Sequence, residues 1–286
     1  MQQFLKDLQT SLKGEYSESE IHVLGMLILE KLTGFSRIWL LIHKELKLND
    51  EQNIIASQYL ERLKNHEPIQ YILGETEFYG LKFKVNPSVL IPRPETEELV
   101  EWVKPPHPPK GGFLSGTPTL LDVGTGSGCI AVALKKKFPS ANVSAMDISP
   151  EALALAKENA ALNEVNIEFI QDDILHPAAT DRKWDVIVSN PPYIPASEQR
   201  YLHKNVTDFE PHLALFVQDN DPLIFYRKIA EFALSHLTAG GRLYVEIHQS
   251  LGRQCCQLLE SMGFQSVVLR KDLSGNDRMI SSFASG

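Results

Sequence analysis

From Phe4 to about Leu63 apolar residues return every three or four positions, as in Leu5, Leu8 and Leu12 and in Ile21, Leu24, Leu27 and Ile28, with no proline before Pro68. That period places the apolar side chains on one face of successive helices and predicts a small helical bundle. The pattern then changes. Phe78 to Val85 alternates around Gly80, which reads as a hairpin, and Glu95 to Val103 reads as a helix opening behind Pro94. Further on, short apolar runs alternate with helical ones: Thr119 to Val123, a helix from Cys129 to Phe138, Asn142 to Met146, Ile167 to Gln171, Trp184 to Ser189, and a late helix from Leu251 to Met262. Strands alternating with helices predict an α/β fold with a doubly wound, mostly parallel sheet. The expected domains are a helical, substrate-recognising unit over 1–75, a β-hairpin connector over 76–92 and an α/β domain over 93–286. The proline- and glycine-dense stretch between Lys104 and Pro118 reads as a mobile surface connection.

Two strand ends carry candidate chemistry. Thr119 to Val123 runs into Gly124-Thr125-Gly126-Ser127-Gly128, and glycines at alternate positions let the backbone turn tightly and approach a ligand closely. The next strand ends in Asp147, where an acid in such sheets grips a ribose diol. Trp184 to Ser189 ends in Asn190-Pro191-Pro192-Tyr193. Proline cannot continue a ladder, so the chain leaves the sheet there. Asn190 Oδ1 and the Pro191 carbonyl could accept both hydrogens of a planar NH2 group, with Tyr193 packed on its plane. By itself the tetrapeptide is also ordinary loop punctuation. With strand order 3-2-1-4-5, Gly124 and Asn190 follow neighbouring strands and face one crevice.

Composition narrows the classes. The chain has 286 residues, 43% of them hydrophobic, enough for a sizeable core. No apolar run approaches the roughly 20 residues that span a bilayer, and Met1 to Leu12 lacks the marks of a secretory or transit segment. The expectation is a cytoplasmic protein with no membrane association. Cys129, Cys255 and Cys256 lack metal-ligand spacing, and the nine histidines form no metal motif, so no metal is expected.

The glycine loop and Asp147 together resemble the class I S-adenosylmethionine-dependent methyltransferases. The resemblance implies that Gly124, Thr125, Gly126, Ser127 and Gly128 lie against the methionine part of the cofactor and that Asp147 binds the ribose. It also implies an acid after the third strand on the adenine amine, Asp173 with Asp172 as rival, and Ile148 on the adenine face, with S-adenosylhomocysteine as product. A narrower resemblance rests on Pro68 to Gly74, Phe78-Tyr79-Gly80-Leu81, Val89 to Glu97, Phe209-Glu210-Pro211 with Leu213-Ala214-Leu215, and Asp272 to Arg278. These segments are similar to the HemK-type protein-(glutamine-N5) methyltransferases, and Arg93 to Glu97 looks like the branch acting on peptide chain release factors. Ile174 stands where an aromatic often follows the adenine-site acid, and His248 where glycine is common.

That family methylates the glutamine side-chain amide of the Gly-Gly-Gln loop, a modification tied to translation termination. The resemblance implies catalytic and substrate-binding roles for Asn190, Pro191 and Tyr193, with Pro192 beside them and Asn190 also near the cofactor. The expected partner is a release factor met transiently by a monomer. The same tetrapeptide also serves exocyclic amines, so N6-adenine or other nucleobase methylation is the alternative, and a non-catalytic cofactor-binding protein is a third reading. The formal charge of -8, from 28 basic and 36 acidic residues, disfavours a stable nucleic-acid partner. Residues 1–75 are acidic as well, with 8 basic and 11 acidic side chains.

Overall fold

The computed structural model describes residues 1–104 and 116–284. Most of the proline- and glycine-dense stretch expected to be mobile, 105–115, lies outside the described residues. The chain forms two compact units, Met1–Gly74 with His203–Phe209, and Glu75–Leu202 with Glu210–Gly286.

The first unit is helical: α1 (Gln2–Leu12), α2 (Glu18–Thr33), α3 (Arg37–Ile42), α4 (Asp50–Lys64) and α5 (Ile69–Leu73). Local signals set the ends. Ser17 and Glu20 form a reciprocal capping box at the start of α2, and Asn49 and Gln52 do the same for α4. Gly34 closes α2 at φ 72°. Leu8, Leu12, Ile28, Leu29 and Leu40 are completely buried, each stabilising the unit by roughly 1.5–3 kcal/mol. Gly25 lets α1 approach α2, because a Cβ there would stand 2.6 Å from Leu5 Cδ2. Arg62 fastens the end of the unit, donating to Glu67 and to the carbonyls of Tyr71 and Ile72. On α3, Ile38 and Ile42 remain 73% and 69% exposed.

The second unit begins with a hairpin, β1 (Glu75–Phe78) and β2 (Leu81–Lys84), turning at Tyr79 and Gly80 with positive φ at both. Then come α6 (Pro94–Trp102), β3 (Thr119–Val123), α7 (Cys129–Lys137), β4 (Asn142–Asp147), α8 (Pro150–Leu162), β5 (Glu168–Gln171) and β6 (Trp184–Ser189). Between the short strands β7 (Ile194–Pro195) and β8 (Phe216–Val217) the chain forms α9 (Lys204–Thr207), which belongs to the first unit, and α10 (His212–Leu215). The second unit then ends with α11 (Ile224–His236), β9 (Leu237–Glu246), α12 (Gly252–Ser261), β10 (Gln265–Lys271) and β11 (Asp277–Phe283).

One seven-stranded sheet runs in the order β10-β11-β9-β6-β3-β4-β5, parallel from β9 to β5 and antiparallel at the β9-β11-β10 edge. Its first five strands in chain order are arranged 3-2-1-4-5, as the alternation of strands and helices predicts. The central strands are covered on both faces. Leu120, Val186 and Val188 pack toward α6 and α7, while Leu121, Ile187 and Leu243 pack toward α11 and α12. Strands buried on both sides read as continuous apolar runs, which is why β3 and β6 stand out in the sequence.

The hairpin is held by α8. Asn159, fully buried, accepts from Lys84 N–H and donates to the carbonyls of Lys84 and Ser127, and Asn163 donates to the Lys82 carbonyl. The winding of the sheet reverses between β3 and β6, so their carboxyl ends open a crevice where loops rather than strands meet. No helix among the described residues is long and apolar enough to cross a membrane.

Candidate active site

The loop after β3 is shaped by its glycines. Gly124, Gly126 and Gly128 have φ of 72°, 53° and 81°, a region that side chains with a Cβ enter at a cost. The N–H groups of Gly124 and Thr125 both donate to the Met146 carbonyl at 2.8 and 2.9 Å, which fixes the loop to the end of β4. Beneath it lies Asp122, fully buried, with Oδ2 accepting from Thr125 Oγ1 at 2.6 Å and from Ala131 N–H at 3.2 Å. Its Oδ1 has no partner among the described residues, and burial pushes the carboxyl up to about 7.

Asp147, at the end of β4, faces the same loop. Its Oδ2 accepts from Gly126 N–H at 2.8 Å and its Oδ1 from Ser149 N–H at 3.0 Å. Burial raises its pKa, and these backbone donors oppose the rise. Each carboxylate oxygen can accept a further bond, so the residue is held and still able to take hydroxyl donors. Ile148 beside it is 45% exposed, an apolar face left uncovered. After β5, Asp172 caps its own loop through Asp173 N–H and Ala178 N–H. Asp173 accepts from Leu175 N–H and meets the exposed His176 ring at 3.0 Å.

Across the crevice, Ser189 Oγ donates to the Val123 carbonyl at 2.7 Å and ties the end of β6 to the end of β3. Asn190 follows. Its Nδ2 donates to Thr96 Oγ1 at 3.1 Å, and Thr96 Oγ1 donates to Glu246 Oε2 at 2.6 Å. Tyr193 O–H reaches the other oxygen of Glu246 at 3.1 Å. Glu246 is fully buried at the end of β9. Burial pushes its carboxyl up to about 6, against the pull of the Thr96 hydrogen bond, the Arg278 charge and the Tyr193 hydroxyl.

The loops after β3, β4, β5 and β6 line a cavity of about 410 Å³. Its wall includes Gly124, Thr125, Gly126 and Ser127 from the glycine loop, and Asp147 with Ile148 from the end of β4. Asp172, Asp173 and Ile174 contribute from the loop after β5, and Asn190, Pro191 and Pro192 from the end of β6. Two residues expected at the site are absent from this wall. Gly128 lies against α8, where a Cβ would stand 3.0 Å from that of Ala156, so its lack of a side chain serves helix packing. Tyr193 packs against the core on the α11 side, with its hydroxyl on Glu246. His248 sits 5.8 Å from the Tyr193 ring, with Nδ1 at Ser250 Oγ and Nε2 at 3.4 Å from Glu198, and is likewise off the wall.

Other residues of the site have no local sequence signal. Thr96 and Glu246 are 150 positions apart, and Arg93 meets the buried Glu210 across 117. Thr96, Arg93 and Glu210 are marked only by their inclusion in segments of the HemK-like pattern, and Glu246 lies outside those segments, two positions before His248. Among the described residues no group of three His, Cys, Asp or Glu side chains is placed to hold a metal ion.

The chemistry of the wall fits S-adenosylmethionine. A Cβ at Gly124 or Gly126 would meet no heavy atom within 4 Å, so the loop leaves open space beside its backbone, and Asp147 presents acceptors to a diol. Ile148 and Ile174 offer apolar faces to a purine.

The chain is similar in sequence to known proteins along most of its length. A family model described as "PrmC N-terminal domain" matches residues 3–74, and one described as "Methyltransferase small domain" matches 114–209. The chain is 50% identical to a release factor glutamine methyltransferase of Flavobacterium psychrophilum, over 93% of this chain and 92% of that one. It is 40% identical to the protein of the same name from Bacteroides thetaiotaomicron, over 96% and 97% of the two chains. Among solved structures, a methyltransferase from Pyrococcus furiosus superposes with a TM-score of 0.51 at 20% identity, covering 73% of this chain and 91% of that one, a likeness of fold.

Proposed function

The chain belongs to the release factor glutamine methyltransferase family, and we propose on that footing that it transfers a methyl group from S-adenosylmethionine to the side-chain amide nitrogen of the glutamine in the Gly-Gly-Gln loop of a peptide chain release factor. The observation that carries the reading is the placing of Asn190 beside the glycine loop with its Nδ2 already engaged by Thr96. Its Oδ1 is then the atom available to an incoming NH2 group.

The cofactor, when bound, supplies an electrophilic methyl on a sulfonium. Gly124 to Ser127 would hold its methionine part, Asp147 its ribose, and Asp173 with Ile148 its adenine. Asp173 is preferred to Asp172 because both oxygens of Asp172 are turned to the Ala178 N–H, whereas one oxygen of Asp173 has only an exposed His176 to displace.

A neutral amide nitrogen is a poor nucleophile, since its lone pair is delocalised into the carbonyl. Orientation and polarisation must therefore supply much of the rate. Asn190 Oδ1 and the Pro191 carbonyl accept the two N–H groups, aim the nitrogen along the line of attack and favour the positive charge that grows on it. Held there, the nitrogen would take the methyl that the bound cofactor supplies, the electron pair of the broken carbon–sulfur bond going to sulfur. The nitrogen then releases a proton, acidic once the bond has formed, so no strong base is required beforehand. Tyr193 acts from behind this pair through Glu246.

The N-terminal unit, over 1–75, serves in this reading to grip the release factor, and the exposed Ile38 and Ile42 on α3 are its candidate contacts. The protein works as a cytoplasmic monomer that meets its substrate transiently.

The test is transfer of labelled methyl to purified release factor, beside a Gln→Ala loop variant and duplex DNA, with the modified residue located by mass spectrometry. Label on the loop glutamine alone is expected. Label on DNA, or on neither substrate, would overturn the assignment.

A further inference from the structure

Beneath the crevice, α6, the end of β6 and the end of β9 each contribute to one hydrogen-bonded chain. Glu246, 1% exposed, receives the hydroxyls of Thr96 and Tyr193, and Thr96 Oγ1 stands 3.1 Å from Asn190 Nδ2. The polarity of this chain follows from counting protons. A carboxylate has none to give, so both hydroxyls must donate to it. Thr96 has a single hydroxyl proton, and it is directed to Glu246 as a hydrogen-bond donor. Toward Asn190 the Thr96 oxygen can only accept, so the half of the amide facing it has to be NH2.

We propose that Glu246, acting through Thr96, is a positioning residue that sets which end of the Asn190 amide faces the crevice. The inference rests on the reading of Asn190 as the holder of the substrate amide.

The two ends of an amide have nearly the same shape, so packing does not distinguish them and hydrogen-bond polarity does. Reversed, Asn190 would point its own NH2 at the substrate NH2, two donors would meet, and nothing on this residue would favour charge on the attacking nitrogen. Glu246 prevents the reversal without touching the substrate. Its second oxygen is satisfied by Tyr193, which gives the tyrosine of the tetrapeptide a task behind the wall.

Several groups bear on the charge of Glu246. Arg278 on β11 favours the ionised form, Glu95 on α6 opposes it, and Thr96 and Tyr193 donate to it. When the carboxyl gains a proton it becomes a donor. Thr96 can then turn its hydroxyl toward Asn190, and the amide is free to flip.

The experiment compares full-length wild type with Thr96→Ser, Thr96→Val and Glu246→Gln. It measures kcat and KM for methyl transfer to release factor, cofactor affinity by calorimetry, and the melting transition. Serine keeps the relay. Valine matches threonine in shape but neither accepts nor donates, so kcat should fall on the order of 10- to 100-fold, with KM and cofactor affinity within about twofold of wild type and Thr96→Ser close to it. Equal turnover by Thr96→Val and Thr96→Ser would overturn the proposal. Should Thr96→Val lose its melting transition, the pH profile decides. Wild-type kcat is expected to fall on the acid side as Glu246 takes up a proton, and Glu246→Gln, which has no such proton, is expected to lose that limb. An acid limb unchanged in Glu246→Gln sinks the idea. Wild-type protein that labels no release factor would sink the function itself, and this inference with it.

Discussion

Arg93 Nη2 donates to Glu210 Oε1 at 2.6 Å, joining the segment before α6 to the segment before α10 although the two residues are 117 positions apart. Glu210 also accepts from Ile91 N–H at 3.2 Å. The pair is unequal: the Glu210 side chain is 1% exposed and that of Arg93 is 33%. Removing the arginine strands a buried charge, whereas removing the glutamate leaves a cation that water can reach. Arg93→Met should therefore cost more stability than Glu210→Gln, about 3 kcal/mol for the former. Denaturant unfolding of both variants checks the order; the reverse order would show that the carboxylate is better solvated than its burial implies.

Asn190→Ala removes the side-chain acceptor and leaves the glycine loop alone. The loss of turnover should be about 10²- to 10³-fold, as for other single groups that stabilise developing charge. Cofactor binding by calorimetry should stay within a fewfold of wild type. Unchanged turnover would end the catalytic role given to this residue.

Gly124 and Gly128 share a motif and a positive φ but should respond differently to alanine. At Gly128 the new methyl meets Ala156 at 3.0 Å for Cβ and 3.2 Å for Cα, so Gly128→Ala should lower the melting temperature, by more than about 1 kcal/mol of stability. At Gly124 it meets no protein atom within 4 Å, so Gly124→Ala should weaken cofactor binding more than it weakens the fold. Thermal melts and calorimetry on the two variants separate the effects.

Asp122 should make stability depend on pH in an unusual direction. Its folded pKa lies near 7, above the ordinary value of 3.8. Between those values the folded state binds more protons than the unfolded one, so the Asp122 contribution to stability falls as pH rises from about 4 to about 7 and is flat above. Asp122→Asn has no such proton, and its stability relative to wild type should rise through the same window. Unfolding free energies of both proteins at pH 5 and pH 8 give the sign.

The glycine loop and Asn190 are legible in the sequence because each is written within a few residues of a buried strand, where a break in an apolar run is conspicuous. Thr96 and Glu246 are not, since an inward-facing threonine on a helix and an acid at a strand end carry no periodicity of their own, and only the sheet brings them to 2.6 Å. Gly128 and Tyr193 show the opposite difficulty. Both sit inside readable motifs, yet one serves the approach of α8 and the other reaches Glu246 behind the wall. The first strand of the hairpin begins at Glu75, earlier than alternation from Phe78 suggests, because Glu75, Thr76 and Glu77 pair with β2 without an apolar face to show it.

The buried Asn159 amide binds the backbone of β2 at two points and the carbonyl of Ser127 at a third. Hairpin, glycine loop and α8 consequently share one knot, and breaking it releases all three. In native-state hydrogen exchange the amides of β2 and of the glycine loop should open as a single cooperative unit. The time the loop spends unfastened is then set by the hairpin as much as by the loop itself.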